Sequence, residues 1–228
     1  MGKTYAIGDL HGRNDVLEAC LAAIEKHRIA AGDSSGSNTT IVFLGDYIDR
    51  GKESRQVVAR LMEGSRDSAR WITLMGNHEE MAVMAHADPN SYWKWWTENG
   101  GLTTSLNYPG RRIDDEHLEW MKSLPMKYQD RYRLFVHAGV KAGETLSEQS
   151  DRTLLWIRHH RDEEVPFPLY VVHGHTPWRD GPVVLESRCN LDINAYATGT
   201  AVVAVFDDDK AGKPVEMLTV RAGYTPTW

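Results

Sequence analysis

Short apolar runs alternate with helical periodicity through the first half of the chain. Residues 4–7, 40–44 and 71–74 are brief and apolar-rich, as buried strands are. Between them Leu17, Cys20, Leu21 and Ile24 recur at i, i+3, i+4 and i+7, and Ser54, Val57, Val58 and Leu61 do the same. That spacing lines one face of a helix. The βαβαβ order predicts a parallel sheet with helices packed on it.

The second half is richer in strand-like runs, at 132–136, 169–172, 183–186, 188–191, 201–206 and 215–220. A second sheet packed on the first accounts for them, giving an α/β fold of the αββα sandwich type, two packed mixed sheets flanked by helices. The stretch 31–38 is rich in Gly, Ser and Asn and reads as a surface loop. No repeat or linker interrupts the chain, so one domain over 1–228 is expected. The segment Tyr92-Trp93-Lys94-Trp95-Trp96 holds three of the eight tryptophans. It reads either as a helix whose aromatics pack against the core or as a wall beside a binding site.

The 228 residues suffice for a sizeable core, and 41% hydrophobic with 25% charged residues is a globular composition. A formal charge of -6 argues against a general nucleic-acid binder. Cys20 and Cys189 form no CxxC pair, so neither a disulfide framework nor a zinc ribbon is suggested. The amino terminus carries no long apolar segment and no run approaches a membrane span, which makes the cytoplasm the expected location, with no membrane partner.

The chemistry lies at the ends of the apolar runs. Five of them end in polar punctuation: Gly8-Asp9-Leu10-His11-Gly12, Gly45-Asp46-Tyr47-Ile48-Asp49-Arg50-Gly51, Gly76-Asn77-His78-Glu79, His137-Ala138-Gly139 and His173-Gly174-His175-Thr176. In parallel α/β sheets the carboxyl ends of strands converge on one edge, so residues distant in sequence meet there. The set offers carboxylate and amide oxygens and imidazole nitrogens but no thiolate, which suits Mn, Fe, Zn or Mg. A lone Asp-x-His is weak evidence for a ligand pair; five punctuated strands are much stronger. Gly before Asp9, Asp46 and Asn77 permits sharp turns and close approach to a ligand.

The order GDxHG, GDxxDRG, GNHE, HAG and GHT resembles the metal-dependent phosphoprotein phosphatases of the serine/threonine type, a branch of the metallophosphoesterases. It is most similar to their compact bacterial and phage members. The resemblance implies that Asp9 and His11 bind one metal, that Asp46 bridges two, and that Asn77, His137 and His175 bind the other. It also implies His78 as general acid, activated by Asp49, and Arg50, Arg158 and Asn77 as contacts to the substrate phosphate. Arg152 and Arg161 compete with Arg158 for that assignment. Between His173 and His175 the resemblance implies His175, which precedes Thr176, as the ligand; His173 reads either as a support behind the ligands or as a neutral histidine satisfied by backbone partners. His27, His86, His117, His159 and His160 are expected at the surface.

Two divalent ions, Mn²⁺ foremost with Fe or Zn as alternatives, would acidify a water and neutralise phosphoryl charge. The implied activity is hydrolysis of phosphate monoesters, foremost phosphoserine and phosphothreonine in proteins, with phosphotyrosine and small aryl phosphates as additional substrates. Symmetrical diadenosine tetraphosphate hydrolases have a similar core and are the enzymatic alternative. They usually depart from the Asp-Arg-Gly triplet and often carry Asp where this chain has Glu79, which favours the protein-phosphatase branch. A non-catalytic phosphate-binding protein is a further alternative, at odds with so complete a set of residues.

Overall fold

A computed structural model describes residues 2–223. Strands β1 (Lys3–Ile7), β2 (Thr39–Phe43) and β3 (Arg70–Thr73) alternate with helices α1 (Asn14–Ala30) and α2 (Ser54–Glu63), as the periodicity predicts. β1 pairs with β2 and β2 with β3, both in parallel. The α2 stripe Ser54, Val57, Val58 and Leu61 is buried throughout. On α1, Leu17, Cys20 and Ile24 are buried while Leu21 is only partly covered.

A helical segment follows, comprising α3 (Asn77–Ala87), α4 (Pro89–Trp96), α5 (Leu102–Asn107) and α6 (Asp115–Ser123). The second half contributes β4 (Lys127–Gln129), β5 (Arg133–Val136), α7 (Asp151–Trp156), β6 (Tyr170–His173), β7 (Val183–Val184), β8 (Arg188–Asn190), α8 (Ala195–Thr198), β9 (Thr200–Asp207) and β10 (Glu216–Arg221). The strands form two mixed five-stranded sheets, ordered β10-β9-β1-β2-β3 and β4-β5-β6-β8-β7. Their order corrects one detail of the sequence reading. β9 and β10 return to the first sheet, where β9 lies antiparallel to β1, instead of extending the second.

Period-two alternation explains how the layers hold together. In β1, Tyr5 and Ile7 join the cluster under the helices, while Ala6 points between the sheets with Val42, Phe135, Val172, Val202 and Phe206. Leu134 and Val136 of β5 face the opposite way, onto Leu154 of α7. The carboxyl ends of the parallel strands β1, β2, β3, β5 and β6 therefore open at one edge, and the five polar punctuations follow them. None of the described helices is long and apolar enough to cross a membrane.

Candidate metal centre

Asp46 stands at the middle of the site. It follows β2 in a loop whose backbone is held by Glu79, the third residue of α3. The two Glu79 oxygens accept the N–H groups of Asp46 and Gly76, each at 2.9 Å, Tyr47 at 2.8 Å and Ile48 at 3.3 Å. This one buried carboxylate ties the turn after β2 to the amino end of α3. Glu79 faces the loop backbone, so the sequence distinction drawn from it concerns a loop clamp. Gly45 has φ +99, and a Cβ there would meet Gly76 N at 2.6 Å. No other residue type fits that crossing without displacement.

On one flank of Asp46, side chains from three strand ends converge. His137 Nε2 lies 3.3 Å from Asp46 Oδ1, 2.9 Å from Asn77 Oδ1 and 3.1 Å from His175 Nδ1. His175 Nδ1 lies 2.9 Å from Asn77 Oδ1. His137 Nδ1 donates to Leu44 O at 2.9 Å, which leaves its Nε2 as a lone pair in the neutral ring. Burial holds His137 below the usual imidazole range, and burial together with His137 pushes His175 down to about 2, so both rings are neutral. Four acceptor-type atoms thus crowd one point. A single proton on His175 could satisfy one of these pairs; a divalent cation satisfies all four together. His175 Nε2, meanwhile, is buried without a partner.

The other flank is looser. His11 Nε2 is 3.5 Å from Asp46 Oδ2 and 3.9 Å from Asp9 Oδ2, and its Nδ1 donates to Ile48 O at 2.9 Å. Arg50 enters this flank: its Nη1 donates to His11 Nε2 at 2.6 Å and its Nη2 lies 3.1 Å from His78 Nε2. Asp9, anchored by the His175 N–H at 3.0 Å, is 4% exposed, Asp46 2% and Asp192 4%. Burial, then the charges of Asp192 and Asp46, push the Asp9 carboxyl well above its usual range. Three carboxylates in so dry a space call for positive charge beyond Arg50, and this flank too fits a divalent ion.

His78 sits between the flanks. Its Nδ1 is 2.7 Å from Asp49 Oδ2, and Asp49 also accepts Trp96 Nε1 at 3.0 Å and Thr104 Oγ1 at 2.6 Å. Burial opposes a charged His78, yet Asp46 and Asp49 outweigh it and raise its pKa. Of the seven non-glycine residues in the left-handed region among those described, five are His11, Asp46, Asp49, Arg50 and His175. Strain concentrated this way is held in place by surrounding contacts and marks functional loops.

The structure brings Asp9, His11, Asp46, Asp49, Arg50, Asn77, His78, His137 and His175 together as the motifs predict. His173 lies elsewhere, its Nδ1 3.1 Å from Gly174 O and its Nε2 3.1 Å from Arg188 Nη1. Among the candidate arginines, Arg158 donates to His175 O at 3.4 Å, while Arg161 lies over Trp178 and Arg152 is exposed. The expectation of surface histidines needs correction. His160 is exposed, but His117 and His159 are buried and His27 and His86 half-buried. His27 and His117 pack against tyrosine hydroxyls, His86 contacts a backbone carbonyl and His159 meets Glu163. The sequence reading missed Asp192, Thr104, the bond of Trp96 to Asp49, and Tyr196, whose ring lies beneath Arg50 at 5.2 Å and edge-on to His11 at 5.5 Å. In the tryptophan segment Trp96 is buried, as the core-packing reading expects, and bonds to Asp49, whereas Trp95 is exposed.

Comparison with known proteins agrees with this geometry. Over 186 residues the chain is 31% identical to the symmetrical bis(5'-nucleosyl)-tetraphosphatase of Delftia acidovorans, covering 78% of this chain and 59% of the relative. It is 32% identical over 180 residues to the protein of the same name from Klebsiella pneumoniae, covering 76% and 56%. The chain therefore spans little more than half the length of these curated relatives. In fold alone it is similar to the cold-active protein-tyrosine phosphatase of a psychrophilic Shewanella, with a TM-score of 0.66 at 19% identity over 97% of this chain and 81% of that one. The model of the calcineurin-like phosphoesterases matches residues 2–205, a span that takes in every strand end lining the centre. By that match, and by the ligand atoms gathered around Asp46, the chain belongs to the calcineurin-like phosphoesterase family.

Proposed function

We propose that the protein hydrolyses dinucleoside polyphosphates, cleaving a dinucleoside tetraphosphate symmetrically, at a centre of two divalent ions. The observation that carries this reading is the name shared by relatives about 30% identical to this chain, taken with a site that has every group hydrolysis needs. The sequence argument for phosphoproteins relied partly on Glu79, and that side chain spends its oxygens on loop N–H groups. The phosphoprotein reading keeps one support, the Asp49-Arg50-Gly51 triplet.

In this proposal Asp9, His11 and Asp46 hold one ion, and Asp46, Asn77, His137 and His175 hold the other. Mn²⁺ is the metal of choice, with Fe or Zn as alternatives, because the donors are oxygen and imidazole. Such a pair, when bound, supplies an acidified water and positive charge beside the phosphoryl group. Arg50 leaves His11 and turns its planar fork to the phosphate, as guanidinium geometry suits. Arg158 and Asn77 approach the same phosphate. His78, held by Asp49, hands a proton to the leaving oxygen.

The test is a side-by-side assay with Mn²⁺. Diadenosine tetraphosphate should yield ADP as the only nucleotide product, with kcat/KM above that for phosphoserine or phosphothreonine peptides. AMP with ATP as products would overturn the symmetrical cleavage, and a better phosphopeptide rate would overturn the substrate class.

A further inference from the structure

Beyond the phosphate site the structure carries an aromatic surface that the chemistry above does not use. Trp95 is the only aromatic among the large hydrophobic residues left exposed in the described chain, at 36%. Its ring is stacked on Trp156, with centroids 5.7 Å apart and planes 23° apart. Trp156 in turn meets His175 edge-on at 6.2 Å. Two consecutive ring contacts thus lead from an exposed indole to the centre.

The pair is fixed from both sides. Trp156 Nε1 donates to Glu80 Oε2 at 2.7 Å, and Glu80 belongs to α3, the helix that begins with Asn77 and His78. Trp95 belongs to α4, which buries Trp96 and sends its indole N–H to Asp49. Helix α4 is therefore anchored at the centre through Trp96. A flat, rigid π surface set beside a phosphate site suits a second flat ring.

We propose that Trp95, backed by Trp156, is a stacking platform for a nucleobase whose phosphates reach the centre. This deepens the dinucleotide reading and rests on it for the substrate class. The platform favours nucleoside phosphates over phosphates without a base, and it is indifferent to base identity because every base has a π face.

Calorimetric binding of ADP and of inorganic pyrophosphate tests this, with p-nitrophenyl phosphate turnover measured in parallel. The wild type should bind ADP about tenfold to a hundredfold more tightly than pyrophosphate, the usual worth of one base stack. Trp95→Ala should lose that margin, Trp95→Phe should keep most of it, and all three proteins should turn over p-nitrophenyl phosphate alike. A wild type without the margin, or a margin that survives in Trp95→Ala, overturns the platform. Loss of aryl-phosphate turnover in Trp95→Ala would also overturn it, since Trp95 would then be supporting the centre itself. If the margin depends on Trp95 yet diadenosine tetraphosphate is not cleaved, the platform stands and the proposed function fails.

Discussion

The two flanks of Asp46 are built on different plans. On the His137 side, Asn77, His137 and His175 approach one another to 2.9–3.1 Å, each fixed at a strand end or helix start. The guanidinium nearest them, that of Arg158, bonds to the His175 carbonyl at 3.4 Å. On the His11 side the contacts to Asp46 and Asp9 lengthen to 3.5 and 3.9 Å, and the Arg50 guanidinium shares the space. In the proposed centre the first flank is preorganised for an ion. The second is shared with a long side chain that must yield before an ion binds His11. Tighter ion binding is therefore expected beside His137 than beside His11, with substrate entering from the Arg50 side.

Removing the charge common to both flanks should have the largest effect. Asp46→Asn should weaken both ions by more than about a hundredfold, because even groups that merely orient a metal ligand are worth 10–100-fold in affinity. His11→Ala should weaken only the ion on the Arg50 side. Metal analysis of the purified variants with calorimetric titration reads this, and two ions held at wild-type affinity in Asp46→Asn would break the division.

His78→Asn comes next. Metal content should stay near normal while kcat for an alkyl phosphate falls about 10²–10⁴-fold, the usual worth of general acid catalysis. The loss should be smaller for diadenosine tetraphosphate, whose leaving group ends in a phosphate with a second pKa near 6 and needs little protonation. Because Asp46 and Asp49 raise the His78 pKa against the effect of burial, its acid form is kept to higher pH than that of an ordinary imidazole and is lost as pH rises through that pKa. The alkaline limb of the kcat profile should therefore vanish in His78→Asn. Equal losses for all esters would remove His78 from the acid role.

Glu79→Gln should have the smallest effect on chemistry and a clear one on stability. Exchanging one acceptor oxygen for an NH2 group leaves loop N–H groups without their acceptor, at a cost of about 1–3 kcal/mol, or roughly 2–12 °C in Tm for a chain of this size. Substrate preference should not change, since Glu79 faces backbone N–H groups. A switch from dinucleotide to phosphopeptide turnover in Glu79→Asp or Glu79→Gln would show that the loop clamp also selects substrate.

Much of this was readable from the chain. Strand ends marked by Gly, Asp, Asn and His are local signals, and their convergence follows from parallel pairing. What escaped were features set by partners far apart in sequence. Nothing near Trp96 or Thr104 indicates that they hold Asp49 from 47 and 55 residues away. Asp192 sits after β8 without a motif of its own, and it joins the carboxylates only because β6 pairs with β8. The alternation of β9 and β10 tells which faces are buried but not which sheet accepts them, because period two is the same in either. The histidines misread as exposed sit in polar stretches, where pairing with a distant tyrosine hydroxyl or a helix carbonyl leaves no trace in the pattern.

The division of the centre by Asp46 is tested most directly by anomalous diffraction from crystals grown with Mn²⁺. Two peaks are expected about 3.5–4 Å apart, one on each side of the Asp46 carboxylate, with Arg50 withdrawn from His11 Nε2 and the His137 peak the stronger at limiting metal. A single peak, or two peaks with Arg50 still bonded to His11, would contradict the account.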